Sequence, residues 1–282
     1  MGDLSVFAGG VAVVTGGGAG LGEGLARRAA ELGMTVIVAD VDEGRARQVA
    51  EDLTAKGQSA VAVQVDVSRA EELDRLADWV HQNHGDVRLL VNNAGIETIG
   101  NSWELPAELW DRTLNINLHG VIHGARAFLP RMIASGQKAF VANLASVGAF
   151  GQMPLQTAYM VTKHGVQAFS ECLYLELQMK QANVQVSSIL PGMVKTRIFH
   201  DAKPSSDPAA AHHQAVMREM MGAYGMDLAD ACKVIFDQIA AGEFWVSTQP
   251  EMTKNLADNR ARFLMEQTVP TLTAETRGLL EA

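Results

Sequence analysis

Residues 11–22 read Val-Ala-Val-Val-Thr-Gly-Gly-Gly-Ala-Gly-Leu-Gly, an apolar run followed directly by a glycine-rich turn. The run is typical of a strand buried on both faces, and the residues after the turn have the period of an amphipathic helix. Glycine lets a backbone turn tightly and approach an anion, whose charge is favoured by a helix N-terminus. The turn is therefore predicted to bind a pyrophosphate, through Gly16, Gly18, Gly20, Leu21 and Gly22.

The same alternation of short apolar runs and longer amphipathic stretches continues along the chain. Parallel strands joined by helical crossovers give this rhythm. The sequence predicts an α/β fold, a Rossmann-type doubly wound parallel sheet of about seven strands with helices on both faces. The predicted strands are 11–15, 35–39, 60–65, 89–92, 139–143, 184–190 and 244–247.

Helix signals occupy the stretches between these strands. Gly33 and Gly57 stand where left-handed C-terminal caps are expected, and Ser68 with Glu71 has the S-x-x-E pattern of a capping box. The boundaries of the crossovers are thus marked by the residue types that end and begin helices.

No linker or repeat divides the chain, so residues 1–282 are predicted to form a single domain with its core over 5–250. The longest stretch without a regular pattern is 191–224. Long loops in compact domains are commonly functional, and 193–226 is interpreted as a substrate lid. Residues 250–282 form a C-terminal extension beyond what the sheet requires.

Composition and charge exclude several classes of protein. Hydrophobic residues make up 48% and charged residues 20%, which excludes a disordered chain. The net charge of −9 disfavours nucleic acid as a partner, and no apolar run is long enough to span a membrane. The first residues lack the basic segment with which a secretory signal peptide begins. Cys172 and Cys232 are expected to be reduced, buried thiols of a cytoplasmic protein.

The second strand ends in an acidic residue that bears on the nucleotide. Asp40 lies 20 residues beyond Gly20, where a carboxylate accepts hydrogen bonds from the adenosine ribose hydroxyls and repels a 2′-phosphate. Asp42 is the better N-cap for the following helix, which leaves Asp40 for the ribose. NAD is therefore expected in preference to NADP.

Tyr159 and Lys163 are four residues apart in a predicted helix, so their side chains lie on one face. Such a pair is usually a surface feature, but here Ser146 ends an apolar strand 13 residues earlier in the same predicted sheet. An ammonium about 4 Å from a phenol supplies about 4 kcal/mol at an effective dielectric near 20, enough to bring a pKa of ~10 to ~7. The pair is thus a candidate for proton transfer.

With these pieces together, the sequence resembles the short-chain dehydrogenase/reductase family over roughly residues 5–250. Arg88, just before the predicted fourth strand, stands where the family often has an acidic residue. Asn115 ranks second to Asn117 as the candidate for the catalytic asparagine of the family. The matching motifs, in the family's order, are Thr15-Gly16-x-x-x-Gly20-x-Gly22, Asp66-Val67, Asn92-Asn93-Ala94-Gly95, Asn117-Leu118-x-Gly120, Ser146 with Tyr159-x-x-x-Lys163, and Pro191-Gly192-x-Val194-x-Thr196.

The resemblance implies hydride transfer between a nicotinamide and a secondary alcohol or ketone. Tyr159 would be the acid/base, Lys163 would lower its pKa and bind the nicotinamide ribose, Ser146 would donate to the substrate oxygen, and Asn117 would hold a water. The cofactor residues implied, besides the glycine turn, Asp40, Tyr159 and Lys163, are Asp66, Val67, Asn93, Ala94, Gly95, Pro191, Gly192, Val194 and Thr196.

The predicted substrate cleft is apolar, which favours a hydrophobic or bulky substrate. Two other activities remain open on the same fold: a non-redox dehydration or epimerisation, and a nucleotide-sensing binding protein. The residues predicted to line the cleft are Val147, Phe150, Met153, Met193, Phe199, Met217 and Met221.

The expected partner, besides a small-molecule substrate, is a further copy of this chain. The stretches 106–132 and 157–179 are each predicted to be one helix with more apolar residues than one face needs, and relatives in the family use these two helices to form dimers and tetramers. We expect a homotetramer, or else a dimer. His119 and His123 lie four apart without a third ligand at recognisable spacing, so no metal site is predicted.

Overall fold

The computed structural model describes residues 2–202 and 207–280, and the predicted doubly wound sheet is confirmed. Seven parallel strands lie in the order β3-β2-β1-β4-β5-β6-β7. Their near-continuous Val, Ile, Leu and Ala content fits a sheet covered on both faces. The strands are β1 Val11–Thr15, β2 Thr35–Asp40, β3 Ala60–Gln64, β4 Val87–Asn92, β5 Ala139–Leu144, β6 Val184–Leu190 and β7 Trp245–Ser247.

Helices cover the two faces of the sheet, and each face has its own apolar core. On one face Leu25, Cys232 and Phe236 are buried against β1 and β4; on the other, Phe128 and Met132 are buried against the same strands. The helices are α1 Gly20–Glu31, α2 Glu43–Ala55, α3 Ala70–Asn83, α4 Ala107–Leu114, α5 Gly120–Ala134, α6 Thr157–Met179, α7 Ile198–Asp201, α8 Pro208–Tyr224, α9 Leu228–Ala241, α10 Pro250–Glu266 and α11 Ala274–Leu280.

The stretch 191–224, predicted to be irregular, is largely helical, so that prediction is wrong. Asp207 caps α8 by accepting a hydrogen bond from the backbone N–H of Ala209 at 3.0 Å, and Pro208 occupies the first turn. Proline is preorganised for this position, and the Ala- and Met-rich residues that follow favour helix. Residues 203–206 of the predicted lid lie outside the described residues.

Two other expectations about helices also need correction. The single helix predicted over 106–132 is interrupted by a π-helical turn at Asn115–His119, between α4 and α5. The capping box of Ser68 and Glu71 does not form, because Ser68 donates from its backbone N–H and its hydroxyl to Oδ1 of Asp66, and α3 begins at Ala70. Short polar side chains that bond to nearby backbone compete with a cap in this way.

The two cysteines differ from each other in burial. Cys232 is buried in the core between α9 and α1, whereas Cys172 lies exposed on α6. The expectation of two buried thiols is therefore wrong for Cys172. In the described part of the chain, no helix has both the length and the apolar content needed to cross a bilayer.

The last part of the chain folds back onto α8. Nδ1 of His213 lies 3.0 Å from the backbone oxygen of Leu279, and Leu280 packs against an apolar cluster that includes Phe199 and Met221. Part of the C-terminal extension thus contacts the segment that was predicted to be the lid.

The order of the strands fixes where a site can form. The chain fills the sheet from β1 outward to β3, then returns to place β4 on the other side of β1. Loops leaving β1 and β4 therefore diverge at their carboxyl ends and leave a crevice, which is where open α/β sheets bind ligands.

Candidate active site

The glycine turn lies at this crevice and leaves no room for a side chain at Gly16 or Gly22. Gly16 adopts φ +62°, and a Cβ on Gly22 would lie 2.1 Å from the oxygen of Gly16 and 2.4 Å from Nδ2 of Asn93. Among the described residues no side chain caps α1 at Ala19. A backbone cradle at the start of a helix fits the pyrophosphate of a dinucleotide.

The end of β4 holds the glycine turn in place. Asn93 donates from Nδ2 to the backbone oxygens of Thr15 (2.8 Å) and Gly16 (3.2 Å), and Oγ1 of Thr15 accepts hydrogen bonds from the backbone N–H groups of Asn93 and Ala94. This network joins the two strands on either side of the switch point. Asn93 and Ala94, which the resemblance assigned to the cofactor, therefore also support the turn.

Asp40 lies at the carboxyl end of β2 beside the same turn. Its two oxygens accept hydrogen bonds from the backbone N–H groups of Gly18 (2.9 Å) and Asp42 (3.0 Å). The carboxylate was expected to be left without partners in the chain, and that expectation is wrong. Asp42 caps α2 by accepting from the N–H of Arg45, as predicted.

Arg45 is a cation near this carboxylate that the sequence reasoning missed. Its Cβ is 2.9 Å from where a Cβ on Gly18 would lie, and its guanidinium pairs with Asp42 at 3.3 Å and with Asp201 of α7 at 3.9 Å. The first turn of α2 brings Arg45 back toward the glycine turn. The only signal in the sequence was a basic residue in the first turn of that helix, and this signal is weak.

Asp66 and Val67 follow β3 toward the same edge. Asp66 donates from its backbone N–H to Oε2 of Glu72 at 2.8 Å. Val67 is buried and packs against Gly120, where a Cβ would come within 2.9 Å of Cγ2 of the valine. The loop is thus fixed both by a carboxylate and by apolar contact.

Ser146, Tyr159 and Lys163 meet at the carboxyl end of β5. Ser146 lies close enough to the phenol of Tyr159 to lower its pKa, and its hydroxyl accepts a hydrogen bond at 3.0 Å from the N–H of Gly148. Nζ of Lys163 lies 5.5 Å from the centre of the Tyr159 ring and donates to the backbone oxygen of Leu144 at 2.6 Å. One helical turn of α6 thus presents the phenol and the ammonium to the same end of the sheet.

Asn117 reaches this group from the π-helical turn. It is fully buried, its Oδ1 accepts from the N–H of Ile96 at 2.8 Å, and its Nδ2 donates to the oxygen of Ile96 at 2.9 Å. A Cβ on Gly95 would lie 3.5 Å from Oδ1 of Asn117 and 3.8 Å from Nζ of Lys163. Asn115 instead contacts His119 near the surface. A π turn commonly marks a functional position in a helix.

Glu97 is a buried acid in this site that the sequence reasoning missed. Its side chain is 5% exposed; Oε1 accepts from the N–H of Thr98 at 3.0 Å and Oε2 from Nε2 of Gln156 at 2.9 Å. The available signal was a single acidic residue between the apolar Ile96 and Ile99, directly after the Asn-Asn-Ala-Gly motif. Carboxylates are rarely buried to this extent.

Burial governs the protonation of the site. It raises the pKa of Tyr159, which the charge of Glu97 raises further and the hydrogen bond with Ser146 lowers. Burial also lowers the pKa of Lys163 to about 8, and Glu97 opposes that shift. The expectation that Lys163 by itself brings the pKa of the phenol near neutrality is therefore corrected, since the largest influence acts in the other direction.

The loop after β6 closes the far side of the site. Gly192 donates from its N–H to Oγ1 of Thr248 at 3.0 Å, and Met193 donates from its N–H to Oε1 of Gln249 at 2.8 Å. Further along the loop, Val194 is buried. Thr196 faces the glycine turn, with its Cβ 3.7 Å from where a Cβ on Gly20 would lie. Pro191 begins this loop.

The residues predicted to line a substrate cleft fall into separate groups. Phe199, Met217 and Met221 share one apolar cluster, which also includes Ile99 and Leu155 that the prediction lacked. Phe150 instead makes a tilted ring contact with Trp245 and packs on a second cluster at the ends of β5 and β6. The structure gives no such shared contact for Val147, Met153 and Met193.

No group of three or more His, Cys, Asp or Glu side chains within the described ranges is arranged to hold a metal ion. His119 and His123 are neighbours, with ring centres 5.9 Å apart. Their contact is that of two residues one turn apart on a helix surface.

The fold and the site define a doubly wound α/β protein with a half-buried phenol, a buried ammonium and a buried asparagine near a glycine turn at the switch point. The family model described as short chain dehydrogenase matches residues 10–207. The chain belongs to the short-chain dehydrogenase family.

Relatives and solved structures agree with this assignment. A probable oxidoreductase, EphD of Mycobacterium tuberculosis, is 36% identical over 185 residues, which is 66% of this chain and 31% of that protein; the chain thus spans under a third of EphD. A short-chain dehydrogenase/reductase from Burkholderia phymatum, solved in complex with NAD, is 32% identical with a TM-score of 0.88 over 94% of this chain and 97% of that one. A metagenomic short-chain oxidoreductase in complex with NADP is 31% identical with a TM-score of 0.63 over 67% and 85%.

Proposed function

We propose that this chain is an NAD(P)-dependent oxidoreductase that interconverts a secondary alcohol and a ketone by hydride transfer. The observation that carries the proposal is the meeting of Ser146, Tyr159, Lys163 and Asn117 near a glycine turn that is closely packed at Gly16 and Gly22. An acid/base group, a cation and a backbone cradle for pyrophosphate at one edge of the sheet are what that reaction requires.

Each of these residues has a role in the proposed reaction. The bound nicotinamide supplies the hydride acceptor or donor and, when oxidised, a positive charge. Tyr159 exchanges a proton with the substrate oxygen, and Ser146, which lies beside the phenol, donates to the same oxygen as charge develops on it. Lys163 is buried beside the phenol, so its charge stabilises the phenolate. Asn117 holds the π turn against Ile96 and places a polar group next to the lysine.

The proposed cofactor preference is NAD, with NADP as the alternative. Asp40 stands at the end of β2 with both oxygens directed at backbone N–H groups next to the glycine turn. A carboxylate there accepts from ribose hydroxyls and repels a 2′-phosphate. Arg45 is the residue that favours the alternative, because it is a cation whose Cβ lies beside Gly18 of the same turn.

The proposed substrate is hydrophobic or bulky. In this proposal the described part of 193–226 acts as a lid, and its Phe199, Met217 and Met221 form one apolar cluster with Leu155. Flexible methionine side chains adapt to large apolar ligands.

A screen of secondary alcohols of increasing size, with NAD and NADP in parallel, tests the reaction and the substrate class. We expect NADH absorbance to rise with at least one bulky apolar alcohol and to rise faster with NAD than with NADP. A short polar hydroxy acid that outpaces every apolar alcohol contradicts the proposed substrate class. Turnover without any change in nicotinamide absorbance favours dehydration or epimerisation, and cofactor binding without turnover favours a nucleotide sensor.

We further propose that the protein is a cytoplasmic homotetramer, or else a dimer. Val161, Leu175 and Met179 of α6 and Ile133 of α5 are exposed apolar side chains on the two helices in question. Burying such a surface against another copy removes it from water. We expect sedimentation to give about four times 30.3 kDa, and a mass near that of one chain contradicts the proposal.

A further inference from the structure

The acid Glu97 sits between the two parts of the chain that carry the catalytic groups. It lies in the loop after β4, and its Oε2 accepts a hydrogen bond from Gln156, the residue before the first turn of α6. Gln156 is itself 4% exposed, and its backbone oxygen accepts from the N–H of Met160, next to Tyr159. The loop and the catalytic helix are therefore joined by a buried acid–amide pair three residues before the phenol.

Few of the groups around Glu97 are ionisable, so its charge acts on few of them. Thr98, whose N–H bonds Oε1 of Glu97, is fixed through its hydroxyl to Thr113 of α4 at 2.6 Å. Asn117, which faces the loop from the π turn, is likewise uncharged. The ionisable groups of α6 that respond to the charge of Glu97 are Tyr159 and Lys163.

We propose that Glu97 is a positioning residue that sets the pH range in which Tyr159 and Lys163 exchange protons. This rests on the function proposed above, because it assigns Glu97 a task in that reaction. Glu97 does so in two ways: the hydrogen bond to Gln156 holds the start of α6, and its ionisation opposes proton loss from the Tyr159–Lys163 pair. When ionisable groups are this closely spaced, their apparent pKa values describe the whole set and not a single residue.

The electrostatics of the site agree in direction with this role. Burial raises the pKa of Glu97 to about 8, with the hydrogen bonds from Thr98 and Gln156 and the charge of Lys163 acting against the rise. The acid therefore ionises in the same range as its neighbour Lys163, whose pKa is lowered to about 8. A neutral side chain in place of Glu97 lets the pair lose its proton at lower pH.

The test compares Glu97→Gln with the wild type by two measurements. One is kcat/KM for alcohol oxidation against pH. The other is the ¹³C signal of ζ-labelled tyrosine in the NAD-bound protein, which reads phenol ionisation without turnover. The chain has three tyrosines, and Tyr159→Phe assigns the signal. The matched control is Glu104→Gln, the same change at an exposed acid of the same loop.

In Glu97→Gln we expect the acid limb of the rate profile and the Tyr159 signal to move to lower pH by roughly half a unit to one unit. In Glu104→Gln we expect neither to move. A lower melting temperature with both titrations unchanged shows a structural role only and overturns the proposal.

Two further experiments test the proposal even if Glu97→Gln does not fold or no alcohol is oxidised. If Glu97→Gln does not fold, the double variant Glu97→Leu with Gln156→Leu removes both polar partners, and the same shift is expected. In the wild type labelled at glutamate, a carboxyl should titrate at about 8, and its absence from that range overturns the proposal. If no alcohol is oxidised, the function proposed above fails while both NMR titrations still decide the role of Glu97.

Discussion

We expect Tyr159→Phe to lower kcat for oxidation of the best alcohol by about 10²- to 10⁴-fold, the range that a positioned acid/base contributes. The phenylalanine keeps the ring that lies beside Lys163 but removes the hydroxyl that would exchange the proton. The dissociation constant for NADH should stay within about twofold, since the glycine turn and Asp40 are unchanged. Steady-state kinetics and NADH fluorescence titration give the two values.

Tyr174→Phe is the matched control, because it removes a hydroxyl from the same helix far from the site, where the ring packs on Phe244. Its kcat should equal that of the wild type. Near wild-type turnover in a folded Tyr159→Phe protein that still binds NADH would show that the acid/base has been misassigned.

The second large effect is expected at the adenosine end of the cofactor. Asp40→Ala should lower kcat/KM for NAD by about 10- to 100-fold, because hydrogen bonds to a charged group are worth about 1.5–3 kcal/mol. The same change should raise kcat/KM for NADP, since the repulsion of a 2′-phosphate is removed and Arg45 lies near the glycine turn to pair with it. Parallel kinetics with both cofactors measure the ratio.

Glu43→Gln serves as the control for this change. Glu43 is three residues away in the first turn of α2 and pairs with Arg47 rather than with Arg45, so its loss should leave the ratio of NAD to NADP activity unchanged. Adding Arg45→Gln to Asp40→Ala should cancel the gain with NADP. An unaltered cofactor ratio in Asp40→Ala would rule out the role given to this carboxylate.

Local pattern was sufficient for the sheet and for much of the site. Each strand lies within one or two residues of its predicted place, because β-branched runs that need burial on both faces are visible in any short window of sequence. The helix of Tyr159 and Lys163 begins and ends at the predicted residues, 157 and 179. Their common face follows from helical spacing alone.

Local pattern failed where two segments compete for the same groups or where contacts are made over a long distance in sequence. Asp66 takes the hydrogen bonds of Ser68 that a capping box would need. The helix α8 was missed because prolines at 204 and 208 resembled loop signals, whereas Pro208 in fact starts the helix. Arg45 was missed because only the return of α2 toward the turn after β1 makes it a neighbour of Gly18.

The sequence by itself determined the parallel α/β sheet, the glycine turn at the end of β1 and the spacing of the phenol and the ammonium, because these depend on residues close together in the chain. Only the tertiary structure decided that Glu97 is buried against Gln156, 59 residues away, and that burial moves the pKa values of Tyr159 and Lys163. Desolvation and charge depend on which elements pack around a group, and no window of sequence contains that information.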